Sequence, residues 1–138
     1  MVNELGPPDV LRLEEVETPE PGQGEVLIEV AVAGVNFADV GMRAGMMGGP
    51  HALELAYTPG FEVAGVAAAV GEGAEGLEGG DREAVVLPAG GYAEYAVAPA
   101  EAVVRIPDGV GFADRRGETG VVGRRRVCGD RLGARSVP

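Results

Sequence analysis

Residues 25–33 read Glu-Val-Leu-Ile-Glu-Val-Ala-Val-Ala, and this alternation decides the fold class of the chain. Branched apolar residues recur at every second position, which predicts a β-strand with one face in a core. The residues on that face are Val26, Ile28, Val30 and Val32. The opposite face holds Glu25, Leu27, Glu29 and Ala31, and we expect it to be partly exposed.

Shorter segments extend this pattern along the chain, each bounded by turns rich in glycine and proline. The further predicted strands are 10–16, 62–70, 82–87, 92–98 and 102–106. Asn36 can cap a short helix that runs through Arg43, and Gly45 can take the left-handed turn after it. Short strands at close spacing predict a mainly β, barrel-like domain with short helices.

Charge divides the chain into two parts. Residues 1–114 carry 20 acidic residues against 4 arginines, whereas residues 115–138 carry 7 arginines and 2 acidic residues. The acidic main part argues against nucleic-acid binding. The Arg-rich tail has no apolar alternation, and we expect it to be disordered or translated out of frame.

Size and cysteine content bound the class of protein. A chain of 138 residues suits one domain with a modest core. Cys128 is the only cysteine, which excludes an intramolecular disulfide and fits a reducing compartment. The first residues show no secretory signal, and no apolar run approaches the ~20 residues of a membrane helix. We therefore expect a cytoplasmic protein that has no membrane partner.

Eight short motifs follow one another between residues 6 and 109. They are Gly6-Pro7-Pro8-Asp9-Val10-Leu11, Pro19-Glu20-Pro21-Gly22-Gln23-Gly24-Glu25-Val26-Leu27-Ile28, Gly34-Val35-Asn36-Phe37-Ala38-Asp39, Pro59-Gly60-Phe61-Glu62-Val63-Ala64-Gly65, Val70-Gly71-Glu72-Gly73, Gly80-Asp81-Arg82, Gly90-Gly91-Tyr92-Ala93-Glu94-Tyr95 and Ile106-Pro107-Asp108-Gly109. Together they resemble the N-terminal, GroES-like domain of the medium-chain dehydrogenase/reductase superfamily. Within it they are most similar to the zinc-independent quinone oxidoreductase branch. The resemblance implies a GroES-like, partly open β-barrel.

The resemblance implies half of an enzyme that passes a hydride from NADPH to a quinone, an enone or a related carbonyl. In that family a Rossmann domain supplies the cofactor site, and it would need about 150 further residues. Residues 117–123 are only faintly similar to its glycine fingerprint. We therefore expect the Rossmann domain to be absent and NADPH not to bind tightly to this chain alone. A homodimer of the intact enzyme remains open.

The tail departs from the family pattern. Where relatives continue from Phe112-Ala113-Asp114 into an alanine-rich helix, this chain becomes Arg-rich. Our hypothesis is a truncated or frameshifted product of a GC-rich gene, because lysine is absent and arginine, glycine and alanine are abundant.

Related alcohol dehydrogenases hold a catalytic zinc, which takes Cys, His and carboxylate ligands. At the corresponding places this chain has Val35-Asn36 and Gly60-Phe61-Glu62, and its only histidine is His51. We therefore predict that the chain has no metal site.

Three residues are the candidates for contacts to cofactor or substrate: Asn36, Asp39 and Arg43. The Asn36 amide can hold a ribose hydroxyl or a substrate carbonyl, although the same side chain can equally serve only as a helix cap. Asp39 and Arg43 match the family pattern. Their i,i+4 spacing also predicts an ordinary surface ion pair, which is the interpretation we favour.

The proton donor is left open by the sequence. Many relatives carry a tyrosine just after the Arg-x-Gly, where this chain has Met46 and Met47, and methionine has no proton to donate. The acid step then falls to solvent, to Tyr57 or to no group at all, and packing is the role that we favour for Tyr57. We expect Glu62 to make a structural hydrogen bond. The competing interpretation of the whole chain is a non-catalytic binding or scaffold module built on the same barrel.

Overall fold

The computed structural model describes residues 1–47 and 54–113. Within these ranges the chain is mainly β with short helices, as predicted. The strands are β1 (Glu25–Gly34), β2 (Glu62–Val70), β3 (Arg82–Val86), β4 (Tyr95–Pro99) and β5 (Val104–Arg105). The one α-helix of the described residues is α1 (Phe37–Arg43), and single 3-10 turns occur at Pro8–Val10 and Ala100–Ala102.

The five strands form one antiparallel sheet in the order β4-β1-β2-β3-β5. The long strand β1 lies inside the sheet, where it pairs with β2 along most of its length and with β4 along its first half. In the described part of the chain the two outer strands, β4 and β5, do not pair with each other. The sheet is therefore partly open, in agreement with the GroES-like fold that the resemblance implies.

The predicted inner face of β1 is confirmed at three of its four positions. Val26, Ile28 and Val30 are buried in the main apolar cluster. Val32, predicted to join them, instead packs in a second cluster with Ala64 and Ala84. The cause is a bulge: Val30 pairs with Gly65 and Val32 with Ala64, so one additional residue of β1 shifts the alternation.

The strand predicted at 10–16 is wrong. Leu11 makes a single antiparallel bridge to Val2, and Val2 makes a second bridge to Tyr57. Residues 12–20 belong to neither a strand nor a helix. An extended segment becomes a strand only when a neighbour pairs with it, and in the described residues that neighbour is limited to Met1 and Val2.

Some predictions fall outside the described residues. They concern the Arg-rich tail at 115–138 with Cys128, the glycine-rich stretch at 117–123, and His51. Among the residues that are described, no helix has the length and apolar character needed to cross a membrane.

Candidate functional site

The predicted helix after β1 is present and begins where the sequence indicates. Asn36 is the N-cap of α1, with extended backbone at φ −113° and ψ 152°, and its side chain is half-buried. The helix ends at Arg43, and Gly45 follows with φ +72°. The residue that ends a helix in the left-handed conformation is usually glycine and sometimes asparagine, because other side chains are strained there.

Asp39 is buried, and its carboxylate accepts three hydrogen bonds. Its side chain is only 7 % exposed. Oδ2 accepts from the Asn36 backbone N–H at 2.8 Å and from the Tyr92 hydroxyl at 2.7 Å, and Oδ1 accepts from the Gly60 N–H at 3.1 Å. A buried carboxylate with three donors is satisfied, so Asp39 joins three separate segments of the chain.

Two of those segments are themselves held together by backbone hydrogen bonds. Gly90, Gly91 and Tyr92 donate N–H groups to the carbonyls of residues 58–60, at 2.7 to 3.0 Å. Gly60 has φ +105°, and a Cβ atom there would lie 2.6 Å from the Tyr92 nitrogen. The close approach therefore requires glycine at position 60. We call residues 58–60 and 90–92 the joint.

The joint also explains why β4 starts later than predicted. The sequence predicts a strand from 92, but β4 begins at Tyr95. The Tyr92 N–H donates to the Pro59 carbonyl, so the first residues of the predicted strand belong to the joint instead of the sheet.

The predicted surface ion pair between Asp39 and Arg43 is wrong. Both residues are buried, and the ion pair found among the described residues joins Arg105 to Asp81. Arg43 instead donates from Nη1 to the carbonyl oxygen of Gly6. It therefore ties the end of α1 to the N-terminal segment, while Asp39 ties the start of α1 to the joint.

Both tyrosines near this carboxylate are held in their neutral form. Burial, the hydrogen bond to Asp39 and the negative charges of Asp39 and Glu62 raise the pKa of Tyr92 well above its usual value. Burial, together with the Asp39 charge, also raises the pKa of Tyr57, although the Arg43 charge opposes the shift. The buried Tyr57 hydroxyl has no hydrogen-bond partner among the residues that are described.

Glycine at the end of β1 leaves room for a carboxylate. Gly34 pairs with Glu62 across the β1–β2 ladder. A Cβ at position 34 would lie 1.8 Å from Glu62 Oε1, so a side chain there would displace the Glu62 side chain. Glu62 is half-buried and placed near the N-terminal end of α1 by this pairing.

Asn36 lies between two exposed apolar residues in the chain, and two further apolar residues of α1 and of the turn after it are exposed as well. Val35 is 66 % exposed, Phe37 81 % and Met46 73 %, and Val40 is also exposed. We call these four residues the apolar rim. A half-buried amide beside exposed apolar side chains suits a flat, mostly apolar ligand with a hydrogen-bonding edge.

The three predicted site residues differ in exposure. Asn36 is the one of the three that keeps a half-exposed side chain beside the rim, whereas Asp39 and Arg43 are buried. No group of three or more His, Cys, Asp or Glu side chains that could hold a metal occurs in residues 1–47 and 54–113.

Tyr92 was missed at the sequence level, although it stands in the Gly90-Gly91-Tyr92 motif. Its partner Asp39 is 53 residues away, so spacing along the chain gives no sign of the hydrogen bond. A tyrosine directly after a glycine pair was the only local signal, because such a pair permits close backbone approach.

The open antiparallel sheet, the capped helix after β1 and the glycine joint define an N-terminal domain of the alcohol dehydrogenase type. Residues 22–108 match the family model of the alcohol dehydrogenase GroES-like domain. The chain belongs to this family, in the quinone oxidoreductase-like branch of the medium-chain dehydrogenase/reductase superfamily.

Individual relatives agree with this assignment. The quinone oxidoreductase of Lama guanicoe is 41% identical over 113 residues, which are 80% of this chain and 34% of the relative. The crystal structure of a human synaptic vesicle membrane protein VAT-1 homolog-like protein is similar at a TM-score of 0.77 and 35% identity, over 81% of this chain and 36% of that one. Escherichia coli quinone oxidoreductase in complex with NADPH is similar at a TM-score of 0.74 and 28% identity, over 80% of this chain and 33% of that one. The chain thus spans about a third of the length of the relatives that it matches.

Proposed function

We propose that residues 1–114 form the catalytic-domain half of an NADPH-dependent, zinc-independent quinone oxidoreductase-like enzyme. In the intact enzyme a hydride would pass from NADPH to a quinone, an enone or a related carbonyl. The observation that carries the proposal is the Asn36 amide, half-buried at the start of α1 and flanked by the exposed side chains of Val35 and Phe37.

The described residues fit one side of such a cleft. The apolar rim suits the planar ring of a quinone or of a nicotinamide, and the Asn36 amide can hydrogen-bond a carbonyl or a hydroxyl at its edge. Bound NADPH would supply the hydride. The described residues offer no glycine-rich turn between a strand and a helix that would cradle its phosphates, so a second domain would have to provide that contact.

Asp39 and Arg43 act in this proposal by holding Asn36 in place. Asp39 accepts the N–H of Asn36 and at the same time anchors α1 to the joint. Arg43 fixes the other end of α1 to the Gly6 carbonyl.

We also propose that residues 115–138 are not part of the domain and arise from a shifted frame, which resequencing of the gene would test.

The direct test is a chimera, because the chain spans a third of its relatives. Residues 1–113 are joined to the remaining two thirds of Escherichia coli quinone oxidoreductase, and NADPH oxidation with a quinone is measured. We expect turnover from the chimera and none from the 138-residue chain alone. Turnover by the chain alone would contradict the proposal that it is half of an enzyme.

The role of Asn36 is tested in the same chimera with Asn36→Ser. Serine still caps a helix, so stability should change little, but the amide is lost. We expect kcat/KM to fall about ten-fold or more, the size of one lost hydrogen bond to a reacting group. Asn3→Ala, at an exposed position, is the matched control. A folded chimera that binds NADPH without turnover would favour the scaffold module instead.

A further inference from the structure

The buried carboxyl group of Glu83 has a charged neighbour to which it makes no hydrogen bond. Glu83 is fully buried on β3, and neither of its side-chain oxygens has a hydrogen-bond partner in the described part of the chain. In the ladder between β3 and β5, Arg105 lies directly opposite Glu83. Directly opposite residues of an antiparallel pair carry their side chains on the same face, with Cβ atoms about 4.5–5.5 Å apart. The Arg105 guanidinium can therefore reach the Glu83 carboxyl group without any movement of the backbone.

Arg105 instead holds a turn at the surface of the domain. Its Nη2 donates to the Gly76 carbonyl at 2.9 Å and to Oδ2 of Asp81, with which it forms an ion pair. The Arg105 side chain is 58 % exposed in this arrangement, and the same Asp81 oxygen accepts the N–H of Glu78 at 2.8 Å. We call residues 76–81 the acidic turn. Arg105 thus anchors the acidic turn to the edge strand β5.

The surroundings of Glu83 favour its neutral form. On β2 the residue opposite Glu83 is Gly65, and on β1 the residue opposite Gly65 is Val30, so the row beside Glu83 is apolar. Burial is the largest cause of its raised pKa of about 7, the Asp81 charge raises the pKa further, and the Arg105 charge opposes the increase. Loss of the proton therefore occurs near neutral pH and leaves a buried carboxylate without a donor.

The arginine next to Glu83 in the chain, Arg82, is held on the opposite face of β3. Its guanidinium donates to two backbone carbonyls of residues 107–110 and lies 4.5 Å from the centroid of the Phe112 ring. Because successive residues of a strand face opposite ways, Arg82 cannot reach Glu83 from this position. Among the residues that the structure describes, Arg105 is therefore the cation available to Glu83.

We propose that Arg105 exchanges partners between Asp81 and Glu83. It holds Asp81 and the acidic turn while Glu83 carries its proton, and it pairs with the Glu83 carboxylate once that proton is lost. The buried carboxylate binds the guanidinium more strongly, because an unpaired charge inside the domain is far more costly than an unpaired carboxylate in contact with water. As the pH rises through neutrality, the acidic turn would therefore lose its anchor to β5. The proposal does not depend on the oxidoreductase activity proposed above.

The test follows the full 138-residue chain by NMR at pH values on both sides of neutrality. We expect the resonances of the Glu83 carboxyl carbon and of the Arg105 side-chain nitrogens to change with one common midpoint. The amide protection factors of the acidic turn should fall about three-fold or more across that midpoint, because one ion pair and one hydrogen bond are lost. A titration of Glu83 that leaves the Arg105 resonances and the acidic turn unchanged would overturn the proposal.

Removing the titrating group should remove the whole response. In Glu83→Gln the Arg105 resonances and the acidic turn should keep their low-pH state throughout, whereas Glu101→Gln, at an exposed position, should respond like the unchanged chain. Glu83→Leu serves the same purpose if the amide variant does not fold, as judged by circular dichroism. A response that persists in either Glu83 variant would come from another group and would overturn the proposal.

Two further variants distinguish an exchange of partners from the fixed effect of nearby charges. Asp81→Asn should lower the midpoint of the Glu83 titration, since it removes a repulsive charge and also frees the guanidinium. Arg105→Gln should raise the midpoint, since the carboxylate then has no cation. In the double variant, Asp81→Asn should lower the midpoint by clearly less than it does alone, because no guanidinium remains to be freed. Additive shifts would mean that Arg105 stays with Asp81 and would overturn the proposal.

Discussion

Asp39 carries a buried negative charge that three donors stabilise, and the donors come from three parts of the chain. Replacing it with asparagine keeps the shape but removes the charge and turns one acceptor into a donor. We expect Asp39→Asn to lower the free energy of unfolding by about 2–3 kcal/mol, measured by urea denaturation. Asp108→Asn, at an exposed position, should leave it nearly unchanged.

The same variant has a spectroscopic consequence at Tyr92. Burial is the largest cause of its raised pKa and would persist, but the hydrogen bond to Asp39 and the Asp39 charge would be lost. The pKa of Tyr92 should therefore fall toward its ordinary value without reaching it. Absorbance at alkaline pH, with Tyr92→Phe to identify the transition, measures the shift. An unchanged transition in Asp39→Asn would contradict the hydrogen bond.

Glu83 is a second buried carboxylate, and it is not satisfied. Its side chain is fully buried on β3, and neither oxygen has a hydrogen-bond partner among the described residues. Burial raises its pKa to about 7, with a further increase from the Asp81 charge and an opposing effect of Arg105. A buried carboxylate without a donor favours its neutral form.

The raised pKa of Glu83 makes the stability of the fold depend on pH. Because the folded-state pKa of Glu83 lies near 7 and the unfolded value near 4.5, the folded state holds the proton more tightly. The free energy of unfolding should therefore fall as the pH rises from about 4.5 to 7, by about 3 kcal/mol from this group, and level off above. Glu83→Gln should remove this slope, whereas Glu101→Gln, at an exposed site, should retain it. Urea denaturation at several pH values measures it.

At the scale of elements, the two strands inside the sheet, β1 and β2, were predicted well. The bounds of β2 are those predicted, and β1 extends one residue further, to Gly34. Both strands lie inside the sheet, so their apolar pattern is complete enough to mark where they begin and end. The helix α1 was also predicted, because its cap and its terminal glycine are local signals.

Features that depend on distant partners were not predicted. The bulge in β1 moves Val32 to the second cluster, and only the pairing with β2 reveals it. The segment 10–16 has the pattern of a strand but is limited to the bridge at Leu11. Glu83 lies two residues before Val85 on β3, so the alternation places both side chains on the same face of the sheet. That the Glu83 carboxylate is buried there without a hydrogen-bond partner depends on the tertiary packing and cannot be read from the sequence.

The joint between residues 58–60 and 90–92 allows a prediction with a clean control. Gly60→Ala would place a Cβ 2.6 Å from the Tyr92 nitrogen at φ +105°. We expect a loss of at least about 2 kcal/mol in the free energy of unfolding, because backbone on both sides would have to move. Gly79→Ala, where a Cβ meets no atom within 4 Å, should change it by less than about 0.5 kcal/mol. Equal effects on the urea midpoint would contradict the joint.

At the scale of the whole molecule, apolar side chains are divided between a core and an exposed rim. Ile28 is fully buried in the main cluster, whereas Phe37 beside the proposed cleft is 81 % exposed. An exposed aromatic residue adds little to folding but favours association with another apolar surface. In the proposed enzyme that surface is ligand and second domain. In the isolated chain a second molecule can supply that surface.

Phe37→Ser should therefore change association and not stability, whereas Ile28→Ala should lower stability. Phe37→Ser should leave the free energy of unfolding within about 0.5 kcal/mol of the unchanged chain and reduce concentration-dependent association in analytical ultracentrifugation. Ile28→Ala should cost about 3–4 kcal/mol, because it leaves a cavity in the core. In the chimera with the cofactor domain, Phe37→Ser should also lower quinone turnover. Unchanged association and unchanged turnover in that variant would mean that the rim is not part of a cleft.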